Sequence, residues 1–115
     1  MSLPYEKINS LINTRHFLKM LIDKDTKARL TKEDKLRAKN LLSKFFTPDD
    51  LTGTIKLGIS EDLDKKIEVA IETHSFLRSL WRIYPKDLRR YLSSCTRHYP
   101  FELDFERGIS RKDYL

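Results

Sequence analysis

The sequence predicts an all-α protein: four main helices as two related helical hairpins, with a short extended C-terminal segment. Three observations carry this expectation. Apolar residues recur at three- and four-residue spacing, which places them on one face of a helix. Only 3 of the 115 residues are glycine, with Gly53 and Gly58 alone in mid-chain, too few for the turns of a β-sandwich. Helix-start signals, a proline or a hydroxyl followed by acids, precede the periodic stretches.

The length suits one domain spanning 1–115. A hydrophobic content of 39% supplies one modest core, and 10% aromatic residues argue against disorder.

The first helix begins at Pro4, because proline's missing N–H would have no partner in a first turn anyway. Tyr5, Ile8, Leu11, Ile12, Leu18, Leu21 and Ile22 form its apolar stripe, widened by Phe17 and Met20. "DKDTKARLT" is a charged loop. Thr31 caps the second helix, with Glu33 and Asp34 suited to its positive end. Leu36, Leu41, Leu42, Phe45 and Phe46 are its expected buried positions. "TPDDL" starts another helix that Gly53 cuts to a turn or two, and "TIKLGI" reads as an extended link. Ser60 caps a long third helix whose stripe runs through Leu63, Ile67, Ala70, Ile71, Leu77, Leu80 and Trp81 to Tyr84. Pro85 ends it and opens a fourth helix reaching about His98. From Pro100 the pattern is no longer helical. "FELDFE" alternates apolar and acidic residues, as an extended strand would. It either seals its own core or docks on another chain.

Two stretches echo each other. Ile12, Thr14, Phe17, Leu18, Lys19 and Leu21 match Ile71, Thr73, Phe76, Leu77, Arg78 and Leu80 at an offset of 59. Phe45 with Asp50 and Leu51 matches Tyr99 with Asp104 and Phe105 at an offset of 54. An internal duplication, 4–51 and 61–106, would give a pseudo-twofold pair of hairpins, each burying a stripe that neither buries alone. Chance similarity of amphipathic helices is the alternative.

The opening also resembles a family of short, uncharacterised bacterial proteins with the motifs PYERT, T-[RK]-x-F-L and LLRHYP. Pro4-Tyr5-Glu6-Lys7 matches the first except at Lys7, and Thr14-Arg15-His16-Phe17-Leu18 matches the second. The third is degraded at Leu41-Leu42-Ser43-Lys44-Phe45-Phe46 and returns as Arg97-His98-Tyr99-Pro100. The resemblance spans roughly 3–51, with a weaker echo in 71–106. It implies a small bacterial, phage or mobile-element protein, and supplies no reaction.

Charge is unevenly spread. Counting Lys and Arg against Asp and Glu, residues 1–48 carry +6, 49–72 carry −4, 73–100 carry +5 and the last fifteen −1. The acidic middle either pairs with its basic neighbours or leaves them free for an acidic partner. In the second basic lobe Arg78 and Arg82 stand one helical turn apart, as do Lys86 and Arg90, with Arg89 adjacent and Arg97 two turns on. Arginine's fork suits carboxylates and phosphates. These six residues are the candidate binding face.

The expected function is that of a non-enzymatic interaction or regulatory protein meeting an acidic protein partner. Nucleic acid on the same arginines is the alternative, and homodimerisation is open. Catalysis finds little footing. Cys95 and His98 share a helix face, but a helix C-terminus raises a thiol's pKa. Four metal ligands do not gather, and no glycine-rich loop precedes a helix. No catalytic residue, metal or cofactor is expected. One cysteine, with no apolar run of membrane length, points to the cytoplasm.

Overall fold

The computed structural model describes residues 4–24 and 28–110; the middle of the charged loop, 25–27, and the last five residues lie outside them. Its elements are α1 (Pro4–Leu21), α2 (Lys32–Lys44), a 3₁₀ turn (Asp50–Thr52), α3 (Glu61–Ser79), a second 3₁₀ turn (Trp81–Ile83), α4 (Lys86–Thr96) and α5 (Glu102–Arg107). The protein is all-α, with four main helices. The starts follow the sequence signals. Thr31 Oγ1 accepts a hydrogen bond from Asp34 N at 3.1 Å, and Ser60 Oγ accepts one from Leu63 N at 3.1 Å.

α1 is the central helix. It packs most extensively on α4 and next on α2, while α2 lies against α3. Thus α4 lies mainly on α1 rather than along α3, its neighbour in sequence. One continuous apolar cluster joins all five helices and both linkers, from Ile8 and Phe17 through Leu41, Phe46 and Leu77 to Leu92 and Phe105. Phe17 meets Tyr84 edge-on at 5.6 Å and stacks on Tyr91 at 5.7 Å, coupling α1 to both sides of Pro85.

Positions paired by the sequence echo occupy like environments. Thr14 and Thr73 are both fully buried, and each hydroxyl donates four residues back, to Ser10 O at 2.8 Å and to Val69 O at 2.7 Å. Phe17 and Phe76 are buried, as are Leu18 and Leu77, Phe45 and Tyr99, and Leu51 and Phe105. The two exit aspartates also match. Asp50 Oδ2 accepts from Thr47 N at 2.9 Å and from Lys66 Nζ at 2.8 Å. Asp104 accepts from Phe101 N at 2.8 Å and from Lys7 Nζ at 2.6 Å. Lys7 and Lys66 are themselves 59 residues apart, so each half lends its lysine to the other half's aspartate. Between the halves, Ile55 and Ile109 exchange two backbone hydrogen bonds of 2.9 Å.

Four expectations are corrected. The third helix does not reach Tyr84. The carbonyl of Trp81 would take its α-helical bond from residue 85, but Pro85 has no N–H. That carbonyl instead accepts from Tyr84 N at 3.4 Å, and the chain tightens into a 3₁₀ turn. Leu36 is 68% exposed rather than buried. The core face of α2 is set by Ala38 and Leu41, and Leu36 lies two residues from Ala38, about 200° around the helix. Ile71, at 40% exposure, sits at the margin of the α3 stripe rather than within it. "FELDFE" is not extended: it is α5, one and a half turns long. The Asp104 carboxylate captures the free N–H of Phe101, and this capping prevails over the alternating pattern. Only Phe105 of its three apolar residues is buried, and Phe101 and Leu103 are exposed. Gly108, at φ +90°, stops the helix, and extended backbone follows at Ile109.

Candidate functional site

The candidate face lies on the last turn of α3, the second 3₁₀ turn and α4. On α4 and at the residue that caps its C-terminus, spacings of four and seven residues place Lys86, Arg90 and Arg97 on one side, and all three are exposed. Arg82 is exposed on the 3₁₀ turn. Arg78, exposed at the end of α3, lays its guanidinium over the ring of Trp81 at 4.5 Å. That contact holds the charge in place while the indole stays half-buried.

Arg89 differs from the other five. It is half-buried and turned toward the 3₁₀ turn. Its Nε donates to Trp81 O at 2.9 Å and its Nη2 to Arg82 O at 3.0 Å. It supplies the donors that the proline-interrupted helix lacks, so it fixes the angle between α3 and α4. The six candidates therefore separate into five presented charges and one clamp that positions them.

The sequence also sets Trp81, Tyr84 and Tyr91 among these charges, a mixture open to nucleic acid, but does not mark Ile83. Ile83 is 37% exposed and Tyr91 43% exposed, within the arginine cluster. Both continue the three- and four-residue spacing, Ile83 from Leu80 and Tyr91 between Leu88 and Cys95, so periodicity did not mark them as exposed.

Ion pairing decides between the two readings of the charge pattern. Four of the seven acids in the middle segment pair within it or with the first lobe. Asp50 and Asp62 share Lys66, at 2.8 and 3.3 Å, Glu61 reaches Lys65 at 4.0 Å, and Glu72 reaches Arg37 at 3.1 Å. Among the described residues, no carboxylate pairs with Arg78, Arg82, Lys86, Arg89, Arg90 or Arg97.

Cys95 and His98 do not work together. Cys95 is buried, and burial pushes its thiol pKa up despite a hydrogen bond with Tyr91 that acts the other way. His98 Nε2 instead meets Glu6 Oε2 at 3.0 Å, on α1. His74 stacks on Tyr99 at 4.6 Å, and burial, then the charge of Arg78, lowers its pKa and favours neutral imidazole. Among the described residues no three His, Cys, Asp or Glu side chains gather as metal ligands. No helix there is long and apolar enough to cross a membrane.

No family model, curated protein or solved structure matches the chain.

Proposed function

We propose that the chain is a non-enzymatic interaction protein that presents the face of Arg78, Arg82, Lys86, Arg90 and Arg97 to an acidic protein partner in the cytoplasm, with Arg89 positioning it. The observation that carries this is the absence, among the described residues, of any acid paired with that face, while the ion pairs of the acidic middle run to other lysines and to Arg37. Unpaired like charges on one surface repel each other, and an acidic partner relieves that repulsion. Exposed Ile83 and Tyr91 favour protein over nucleic acid, since aromatic and apolar residues amid arginines are typical of the buried centre of a protein interface. The bacterial mobile-element or phage setting rests on the motif resemblance alone. The reading of 4–51 and 61–106 as two copies of one hairpin draws support from the matched burial and the reciprocal lysine–aspartate pairs.

Affinity capture from the native host with the wild-type chain and an Arg82→Glu/Arg90→Glu variant tests the proposal. The expected result is an acidic protein retained by wild type, resistant to nuclease treatment and lost from the variant. Identical capture by both chains refutes the face. A nuclease-sensitive species whose binding falls steeply with salt supports the nucleic-acid reading instead.

A further inference from the structure

We propose that the cavity between α1 and the exit of α2 is a binding site for a small organic anion: a phosphate or carboxylate on a short apolar body. The cavity measures about 280 Å³. Its apolar wall is Ile12, Pro48 and Leu51. Arg15, His16 and Lys19, spaced along one side of α1, supply the nitrogen donors at its rim, and Thr52 completes the lining. No acid lines it. The nearest carboxylate in sequence, Asp50, is held by Thr47 N and Lys66. Arg15, His16 and Lys19 make no ion pair among the described residues. An apolar wall with a few polar groups is the usual composition of a small-molecule site, and this volume lies just below the usual range of about 300–1,000 Å³. It equals about nine waters of liquid, which limits the ligand to a single ring or a short chain beyond its charged group.

The echoed positions of the second half line a smaller cavity with a different charge. At the offset of 59, Ile12 corresponds to Ile71 and Arg15 to His74, and at 54, Pro48 corresponds to Glu102. Ile71, His74 and Glu102 line a cavity at the echoed positions, together with Tyr99, Pro100 and Phe101, of only about 60 Å³. There the His74 ring lies against Tyr99, and Glu102 brings an acid to the rim. Arg78, the counterpart of Lys19, leans on Trp81, where the first half has only Ile22. Of the two cavities, one is small and carries an acid, and the other is larger and cationic.

The site takes a ligand other than the proposed acidic protein and lies on different residues, so the two proposals fail independently. The test is titration of the ¹⁵N-labelled full chain with phenyl phosphate, followed by amide chemical shifts, with benzyl alcohol and inorganic phosphate as half-ligands. Saturable shifts centred on residues 12–19 and 48–52 are expected, with both half-ligands at least about tenfold weaker. Arg15→Gln/Lys19→Gln should weaken phenyl phosphate at least about tenfold, while Arg78→Gln/Arg82→Gln leaves it unchanged. Because Lys19 is exposed and Arg15 half-buried, circular dichroism of the first variant should match wild type. Should that variant fail to fold, Thr52→Tyr, at an exposed edge of the cavity, must block binding. The proposal is overturned by the lack of a saturable shift up to about 10 mM. It is equally overturned by shifts spread over all basic residues, or by inorganic phosphate or benzyl alcohol binding as tightly as phenyl phosphate.

Discussion

Replacing Asp104 removes two separable interactions, and the structure gives each a size. One carboxylate oxygen accepts from Lys7 Nζ at 2.6 Å, across 97 residues of sequence, and the other accepts the otherwise free N–H of Phe101 at 2.8 Å. The two side chains of the ion pair are 18% and 19% exposed, so solvent screens the pair only in part. A charge-assisted hydrogen bond contributes about 1.5–3 kcal/mol, and partial screening brings the pair to the lower end, about 1–1.5 kcal/mol. A helix cap adds about 1 kcal/mol. Asp104→Asn keeps an oxygen for Phe101 but loses the charge, and should cost about 1–1.5 kcal/mol. Asp104→Ala loses both, and should cost about 2–2.5 kcal/mol. Urea unfolding of Asp104→Asn, Lys7→Met and the double variant isolates the pair, with an expected coupling of about 1 kcal/mol. The pH dependence has a definite sign. Burial alone would raise the Asp104 pKa. The hydrogen bonds from Lys7 and Phe101 and the charges of Lys7 and Arg107 outweigh it, so the folded pKa lies below that of the unfolded chain. The contribution is therefore full above the ordinary aspartate pKa, about 4, and is lost as pH falls through the lower folded value. The gap between wild type and Asp104→Asn should begin to narrow below about pH 4 and close once the pH is below the folded value. A coupling under about 0.3 kcal/mol, or a gap that persists at low pH, would refute the assignment.

Tyr84 carries a buried hydroxyl with no hydrogen-bond partner among the described residues. Tyr84→Phe removes a desolvated polar atom while keeping the ring against Phe17, and should raise stability by about 0.5–2 kcal/mol; destabilisation by thermal or urea melting would show a bond that the fold conceals. Gly108 sits at φ +90°, with the Lys56 side chain 3.4 Å from where a Cβ would stand, whereas Gly53 has negative φ and room. Gly108→Ala should cost about 1–3 kcal/mol and Gly53→Ala close to nothing; equal effects in a urea melt would contradict the backbone argument.

The architecture was legible where local chemistry and periodicity agree. Thr31 and Ser60 are helix caps because a hydroxyl, two acids and an apolar stripe all point one way there. The fold departs from the pattern where a non-local or single-atom effect decides. The missing N–H of Pro85 leaves the Trp81 carbonyl, four residues upstream, without its α-helical donor, and the α-helix has ended by Ser79. In "FELDFE" one carboxylate at the third helical position outweighs six residues of alternation. The candidate face was legible as a list of charges, but not as a structure. The spacing that groups Arg89 with Arg90 says nothing about which of them turns back to the broken helix. The cavity beside Arg15 was hidden for a related reason. Its walls come from two segments 29 residues apart at their nearest members, Lys19 and Pro48, and periodicity carries no information about gaps between elements.

The exchanged lysines set an order of events for the growing chain. As residues leave the ribosome, the exit of the first hairpin at Asp50 waits for Lys66, sixteen residues later. Lys7 waits for Asp104, 97 residues later. The Ile55 backbone is paired only when Ile109 emerges. Helices form from local contacts within microseconds, yet the ties that fasten these to one another span much of the chain. For a helical protein that is a non-local topology, and it places final closure after Asp104 and Ile109 have emerged. Until then the apolar stripe of α1 lacks α4, the helix on which it packs most extensively. The interval between the emergence of α1 and of α4 is when this chain is most open to aggregation or to a chaperone.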